Sequence, residues 1–243
     1  MLPTHKGVII MILENLKIGN IPAILWGPKS DELFIVVHGN MSNKASDLIA
    51  VFAEQAIARG YQILSFDLPE HGERKRVNDD CKIQECVRDL KIIMDYAKSL
   101  SNNISVLACS LGAYCTLLTY KCESLRQCLF LSPVVDMEQM INNMMEECKI
   151  SENKLKEEKE IKTSIGHTLY WDYYCYVKKH PIDEWNNTTS ILYGSEDEIC
   201  EFNVVAGFAK CFNCDLEIME NGKHSFHTNE QMEFFKQWLN KYL

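Results

Sequence analysis

From residue 32 onward, short apolar runs alternate with longer stretches in which apolar residues recur every three or four positions. That alternation is the pattern of strands joined by crossover helices in a mostly parallel sheet. Runs at 33–37, 62–66, 104–108, 127–131, 190–193 and 216–219 predict six such strands. Most are almost continuously apolar, as strands covered on both faces are. Two earlier runs, at 8–13 and 22–26, predict an antiparallel pair at the sheet edge, for about eight strands in all. Ile83, Val87, Leu90, Met94 and Ala97 fall on one face of a helix, with Lys82, Arg88, Asp89 and Lys91 elsewhere. Ser46 is the expected N-cap of a helix carrying Leu48, Ile49, Phe52, Ala53 and Ala56, and Gly60 its stop.

After Pro133 the pattern changes. No strand-like run appears up to Trp185, charge concentrates in KLKEEKEIK, and aromatics cluster in HTLYWDYYCYV. This predicts a helical cap or lid over 134–185, inserted after the sixth strand, with 1–133 and 186–243 forming the core that carries it. The charge run reads as a solvated helix face.

The 243 residues, 47% of them hydrophobic, are enough for one full core. A net charge of −9 without a basic stripe argues against nucleic acid and anionic membrane surfaces, both of which require a cationic patch. The opening MLPTHKGVIIMILENLKIG lacks the order of a signal peptide, its apolar stretch is broken at Glu14 and Asn15, and no apolar run is long enough to span a bilayer. A cytoplasmic location is expected, with the eleven cysteines as reduced thiols. Cys211 and Cys214 form a single C-x-x-C with no second pair, so neither metal nor cofactor is expected.

The chemistry centres on LACSLGA, residues 107–113. Ser110 follows a predicted strand and precedes the helical LGAYCTLLTYKC, the strand-to-helix corner that a nucleophile elbow requires. Ala108-Cys109-Ser110-Leu111-Gly112 is similar to the G-x-S-x-G of α/β-hydrolases of the serine esterase and lipase type, with alanine for the first glycine. Other segments resemble that family in its order. His38-Gly39-Asn40 resembles its HG turn, and Asp67-Leu68-Pro69-Glu70-His71-Gly72 its D-x-P-G-H-G segment, with Glu70 where glycine stands. Gly194-Ser195-Glu196-Asp197 resembles its acid turn, and Gly222-Lys223-His224-Ser225-Phe226 its histidine loop.

The resemblance spans nearly the whole chain and implies the α/β-hydrolase fold. It assigns Ser110 as nucleophile, His224 as base and Asp197 as acid, with Glu196 and Glu198 as adjacent carboxylates. His227 is set aside because Thr228 and Gln231 read as a capping box that opens the last helix. The backbone N–H groups of Asn40 and Leu111 become the oxyanion hole, with Met41 as the other candidate for the first donor. Asp67 and His71 read as residues that shape a loop, and Cys109 as a small buried hydrophobe. Tyr170, Tyr173, Tyr174 and Val177 share a predicted helical face. Tyr170 and Tyr174, with Met41, are candidates for substrate contact, and the same face could instead fasten the lid to the core.

The expected reaction is hydrolysis of a carboxylic ester with a small or medium acyl group, through an acyl-enzyme. Its partners are a small-molecule ester and water. Thioester hydrolysis, acyl transfer and amide or peptide cleavage use the same three side chains, and a non-catalytic ligand-binding protein on this fold is a further alternative.

Overall fold

The computed structural model describes residues 13–75 and 81–243. Its central sheet has eight strands: β1 (Leu13–Ile18), β2 (Ile21–Trp26), β3 (Glu32–Val37), β4 (Gln62–Phe66), β5 (Asn103–Cys109), β6 (Cys128–Leu131), β9 (Thr189–Gly194) and β10 (Asp215–Met219). They lie in the order β1-β2-β4-β3-β5-β6-β9-β10. β2 is antiparallel to both β1 and β4, and the remaining pairs are parallel.

Both faces of the inner parallel strands are apolar because both are covered, whereas β10, at the edge, is partly exposed. Leu33, Ile35 and Val37 of β3 enter one core, and Phe34 and Val36 the other. The first core packs against α2 (Ile83–Leu100), α3 (Leu111–Tyr120) and α7 (Phe202–Cys211), the second against α1 (Asp47–Ile57) and α8 (Asn229–Tyr242). α2 buries Ile83, Leu90, Met94 and Ala97, as their spacing predicts, and adds Cys86 and Ile93. Ser46 is the N-cap of α1 by position, but its side chain makes no capping bond.

One expectation falls mostly outside the described residues, and one is corrected. The strand expected over 8–13 lies outside the described residues except for Leu13, and the described partner of β2 is Leu13–Ile18. LENLKI is an edge strand exposed along most of its length, so Glu14, Asn15 and Lys17 belong to the ladder instead of breaking it. The insertion between β6 and β9 is not wholly helical. It holds α4 (Met137–Glu147), α5 (Glu152–Glu158) and α6 (Trp171–Lys179), with a small antiparallel pair, β7 (Glu160–Lys162) and β8 (Thr168–Tyr170), between α5 and α6. The charge run divides accordingly: α5 exposes Lys154, Lys156, Glu157 and Glu158 around a buried Leu155, and the run's last three residues, Glu160–Lys162, form β7.

All eleven cysteines are free thiols. No described helix is long and apolar enough to cross a membrane.

Candidate active site

β5 ends at Cys109, opposite Leu131 of β6, and the chain turns sharply at Ser110. Ser110 has φ 48° and ψ −118°, a conformation that L residues rarely adopt without support from their surroundings. That support is a set of backbone bonds. Ser110 N–H donates to the Leu131 carbonyl at 3.0 Å, and the Ser110 carbonyl accepts from Ala113 N–H at 3.0 Å and Val134 N–H at 3.2 Å. Gly112 lets α3 sit against β3, since a Cβ there would lie 2.5 Å from the carbonyl oxygens of both Val37 and His38. Ala108, by contrast, is fully buried in the core, paired with Val37 and Phe130, and the turn keeps its positive φ with alanine at that position. The half-buried Cys109 has its thiol pushed up to about 12 by burial, which keeps it protonated beside the serine.

The turns after β9 and β10 meet this corner. His224 Nε2 lies 2.8 Å from Ser110 Oγ, and His224 Nδ1 lies 2.9 and 2.8 Å from the two oxygens of Asp197. The Asp197 side chain is fully buried, and its Oδ1 also accepts the N–H groups of Ile199 at 2.9 Å and Cys200 at 2.8 Å. Two charge-assisted bonds from its own turn thus hold the carboxylate toward the ring. The two turns approach closely through backbone, with one further side-chain bond between them, Asn221 N–H donating to Ser195 Oγ at 2.8 Å. A Cβ on Gly194 would lie 2.3 Å from the Gly222 carbonyl, and Glu196 N–H donates to that carbonyl at 2.8 Å. Glu196 and Glu198 are exposed. His227 is exposed too, with Nδ1 donating to Ser225 O, and Thr228 caps α8 with the capping box expected.

On the other side of Ser110 stands the turn after β3. His38 is buried, its Nδ1–H donating to Gly39 O at 2.7 Å and its Nε2 accepting Leu68 N–H at 3.1 Å. Burial lowers its pKa to about 4, against the pull of the Gly39 carbonyl, so the ring is the neutral tautomer that this pair of bonds requires. Met41 is 85% exposed at φ 59°, and its N–H is shared between Asn40 Oδ1 and His71 Nε2, at 3.0 and 3.1 Å. Among the described residues Asn40 N–H has no such acceptor. Leu111 N–H, in the first turn of α3, has no partner within its own helix. Behind this turn Lys44 Nζ bonds the fully buried Asp67 at 2.7 Å and Glu73 at 2.6 Å, pairing that residue chemistry alone did not announce.

No family model matches the chain, and no curated protein matches it in sequence. Solved structures do. An esterase from Butyrivibrio proteoclasticus, Est1E, with ferulic acid bound, superposes with a TM-score of 0.79 at 18% identity, over 94% of this chain and 97% of its own. Mouse alpha/beta hydrolase domain-containing protein 10 gives 0.74 at 14% identity, over 95% and 98%. The Pyrococcus furiosus esterase Pf2001 gives 0.67 at 17% identity, over 96% and 90%. This is the α/β-hydrolase fold.

Within the α/β-hydrolase fold of this chain, the insertion holds the remaining candidates. Tyr170 is not on the predicted helical face: it ends β8 and precedes α6, its ring 4.7 Å from Lys82 Nζ. Tyr174 is buried, and its hydroxyl donates to Asn142 of α4 at 2.8 Å, so it fastens α6 within the insertion. A shallow, open groove of about 30 Å³ runs between the start of the insertion and α7, lined by Pro133, Val134, Val135, Met140, Ile199 and Val204, with Asp136 and Glu201 among its polar residues. Among the described residues, Asp197, Cys200 and His224 form the one trio close enough to share a metal ion. Its histidine nitrogen is already bonded to the carboxylate, and burial beside Asp197 raises the Cys200 thiol well above the ordinary range.

Proposed function

We propose that the chain is a serine hydrolase that cleaves a carboxylic ester through an acyl-enzyme. The observation that carries this reading is the unbroken hydrogen-bonded series from Ser110 Oγ through His224 to Asp197, with contacts of 2.8 Å at each side of the ring. In this reading His224 Nε2 takes the Ser110 proton as Oγ attacks the acyl carbonyl, and returns it to the leaving alcohol. Asp197 holds the Nδ1–H tautomer and stabilises the imidazolium. The N–H groups of Asn40 and Leu111 receive the oxyanion, each worth roughly a hundredfold or more in rate. Met41 is the weaker candidate for that donor, because its N–H is already engaged. Water then enters where the alcohol left and releases the acid.

The fold adds support, since two of the similar structures are esterases and one of them holds ferulic acid. The groove that includes Val134, whose N–H bonds the Ser110 carbonyl, adjoins the serine turn, and in this reading the acyl or aryl group lies along it. Ser110→Ala is expected to abolish hydrolysis of p-nitrophenyl esters of graded chain length and labelling by a fluorophosphonate, with the circular dichroism spectrum unchanged. Retained turnover would remove Ser110 from the mechanism, and acyl products formed with added alcohol in preference to water would make the protein a transferase.

A further inference from the structure

The turn that carries Asp197 is held differently at its two ends. At its start, Ser195 N–H donates to the Met219 carbonyl at 2.9 Å and Glu196 N–H to that of Gly222 at 2.8 Å, so this end is tied to the turn after β10. Its far end runs through Ile199, 52% exposed, to the buried Cys200. Each polar group of Cys200 has a partner. Its N–H holds Asp197 Oδ1 at 2.8 Å, its thiol lies 3.9 Å from the Ser132 carbonyl, and its carbonyl accepts the Tyr193 hydroxyl at 2.6 Å. Among the described residues no backbone N–H donates to the Cys200 carbonyl. Tyr193 is 1% exposed, in the penultimate position of β9 and paired with Ile218 of β10. A phenylalanine would fill the same space. A buried hydroxyl has to find a partner, and the partner here is the far end of the turn that the same strand leads into.

We infer that Tyr193 is a positioning residue for the catalytic acid: its hydroxyl pins the Cys200 carbonyl, and so keeps Cys200 N–H on Asp197 Oδ1 and the carboxylate aimed at His224. The inference rests on the serine hydrolase reading, which gives Asp197 and His224 their roles. The aim of the carboxylate is set through Oδ1, which accepts the N–H groups of Ile199 and Cys200, whereas among the described residues Oδ2 has only the His224 ring. Of those two donors, Ile199 sits on the exposed part of the turn, and Cys200 is the one fixed to the sheet. The thiol cannot replace the tyrosine in fixing it, because a sulfur donor 3.9 Å from a carbonyl is a weak one. Without the phenol hydroxyl the far end of the turn hangs on Asp197, and the carboxylate has to anchor the turn that otherwise anchors it.

Tyr193→Phe keeps the ring and removes the donor. It is expected to lower kcat for p-nitrophenyl acetate about tenfold with KM unchanged, the worth of one hydrogen bond expressed as a rate. Tyr193→p-aminophenylalanine restores a donor at the same ring position and should recover most of that loss. In an Asp197→Ala background no carboxylate is left to aim, so Tyr193→Phe should cost nothing further, whereas a residue that only stabilises the fold would lower both backgrounds alike. Proton NMR supplies a readout that a merely structural role would not move. The His224 Nδ1–H resonance, carried downfield by its bond to the carboxylate, should shift upfield in Tyr193→Phe. Should that variant fail to fold, the folded wild type decides: the Tyr193 hydroxyl proton should be visible in water as a slowly exchanging resonance, with the Cys200 amide protected as well. A rapidly exchanging hydroxyl, an unchanged kcat or an unmoved His224 resonance in Tyr193→Phe, or an equal loss in the Asp197→Ala background would overturn the proposal. A wild type that neither hydrolyses esters nor takes the fluorophosphonate overturns the hydrolase reading instead, and the hydroxyl proton still shows whether the clamp exists.

Discussion

At the scale of single residues, His38 and His71 lie side by side and carry opposite consequences for stability. The His38 pKa falls from 6.5 to about 4 on folding, so between those values the unfolded chain binds a proton that the native state refuses. Stability therefore drops as pH falls through that window and levels off below it, by up to about 3 kcal/mol for the full shift. His71 is raised on folding, so its contribution is present in acid and is lost as pH rises through its folded value. Urea denaturation between neutral pH and about pH 4 should show the acid slope. It should be shallower in His38→Asn, and an identical slope in that variant would assign acid sensitivity to other groups. Gly112 is a position where the residue type is dictated strictly, since the atoms that a side chain would meet are the backbone carbonyls of Val37 and His38. Ala108 shows that the other small position of the same motif is less demanding.

At the scale of elements, the site is set by how closely two turns can come together. Gly194 and Gly222 face one another with no side chain between them, and the acid and the base ride on the turns they belong to. A methyl on Gly194 meets the Gly222 carbonyl, whereas one on Gly222 stands 3.0 Å from the Gly194 Cα. Gly194→Ala should therefore cost more activity than Gly222→Ala, with the loss in kcat and stability reduced by about 1–3 kcal/mol. Ester kinetics and denaturation on both variants test this, and an equal, negligible effect would show that the turns can separate freely.

The elements legible in the sequence were those with a strong period or a continuous apolar run. β3, β4, β5, β6 and β9 are buried along almost their whole length, β10 is a short run that rests Leu216 and Met219 on the cores, and α2 carries a clear stripe. LENLKI was not legible because an edge strand needs only one side covered and tolerates Glu14 and Lys17. β7 and β8 were not, because three-residue strands carry too little pattern. The residues of the candidate site could be named from their local motifs, whereas their separations could not. The bond between His71 and Asn40 joins residues 31 apart, and no local motif records which loop lies over which.

At the scale of the molecule, the net charge of −9 bears on substrate choice. Glu196, Glu198 and Glu201 are exposed around the acid turn, and Asp136 and Glu201 line the groove. An ester whose acyl chain ends in a carboxylate should be used less well than its neutral isostere. The gap should narrow as ionic strength rises, because only charges within about a Debye length, ~10 Å at 0.1 M, repel effectively. Competition between the two esters at low and high salt measures it, and a gap indifferent to salt would point to shape instead of charge.

Both ends of the insertion are tied to β6 and the serine turn. At its start, Val134 N–H bonds the Ser110 carbonyl; at its end, Trp185 packs 5.9 Å from Phe130 and donates to Thr189. The chain between these two anchors is seated in the first core through Leu155, Leu169, Tyr174 and Val177, so it is joined to the serine turn as a graft is to rootstock, along the whole union and not at its two ends alone.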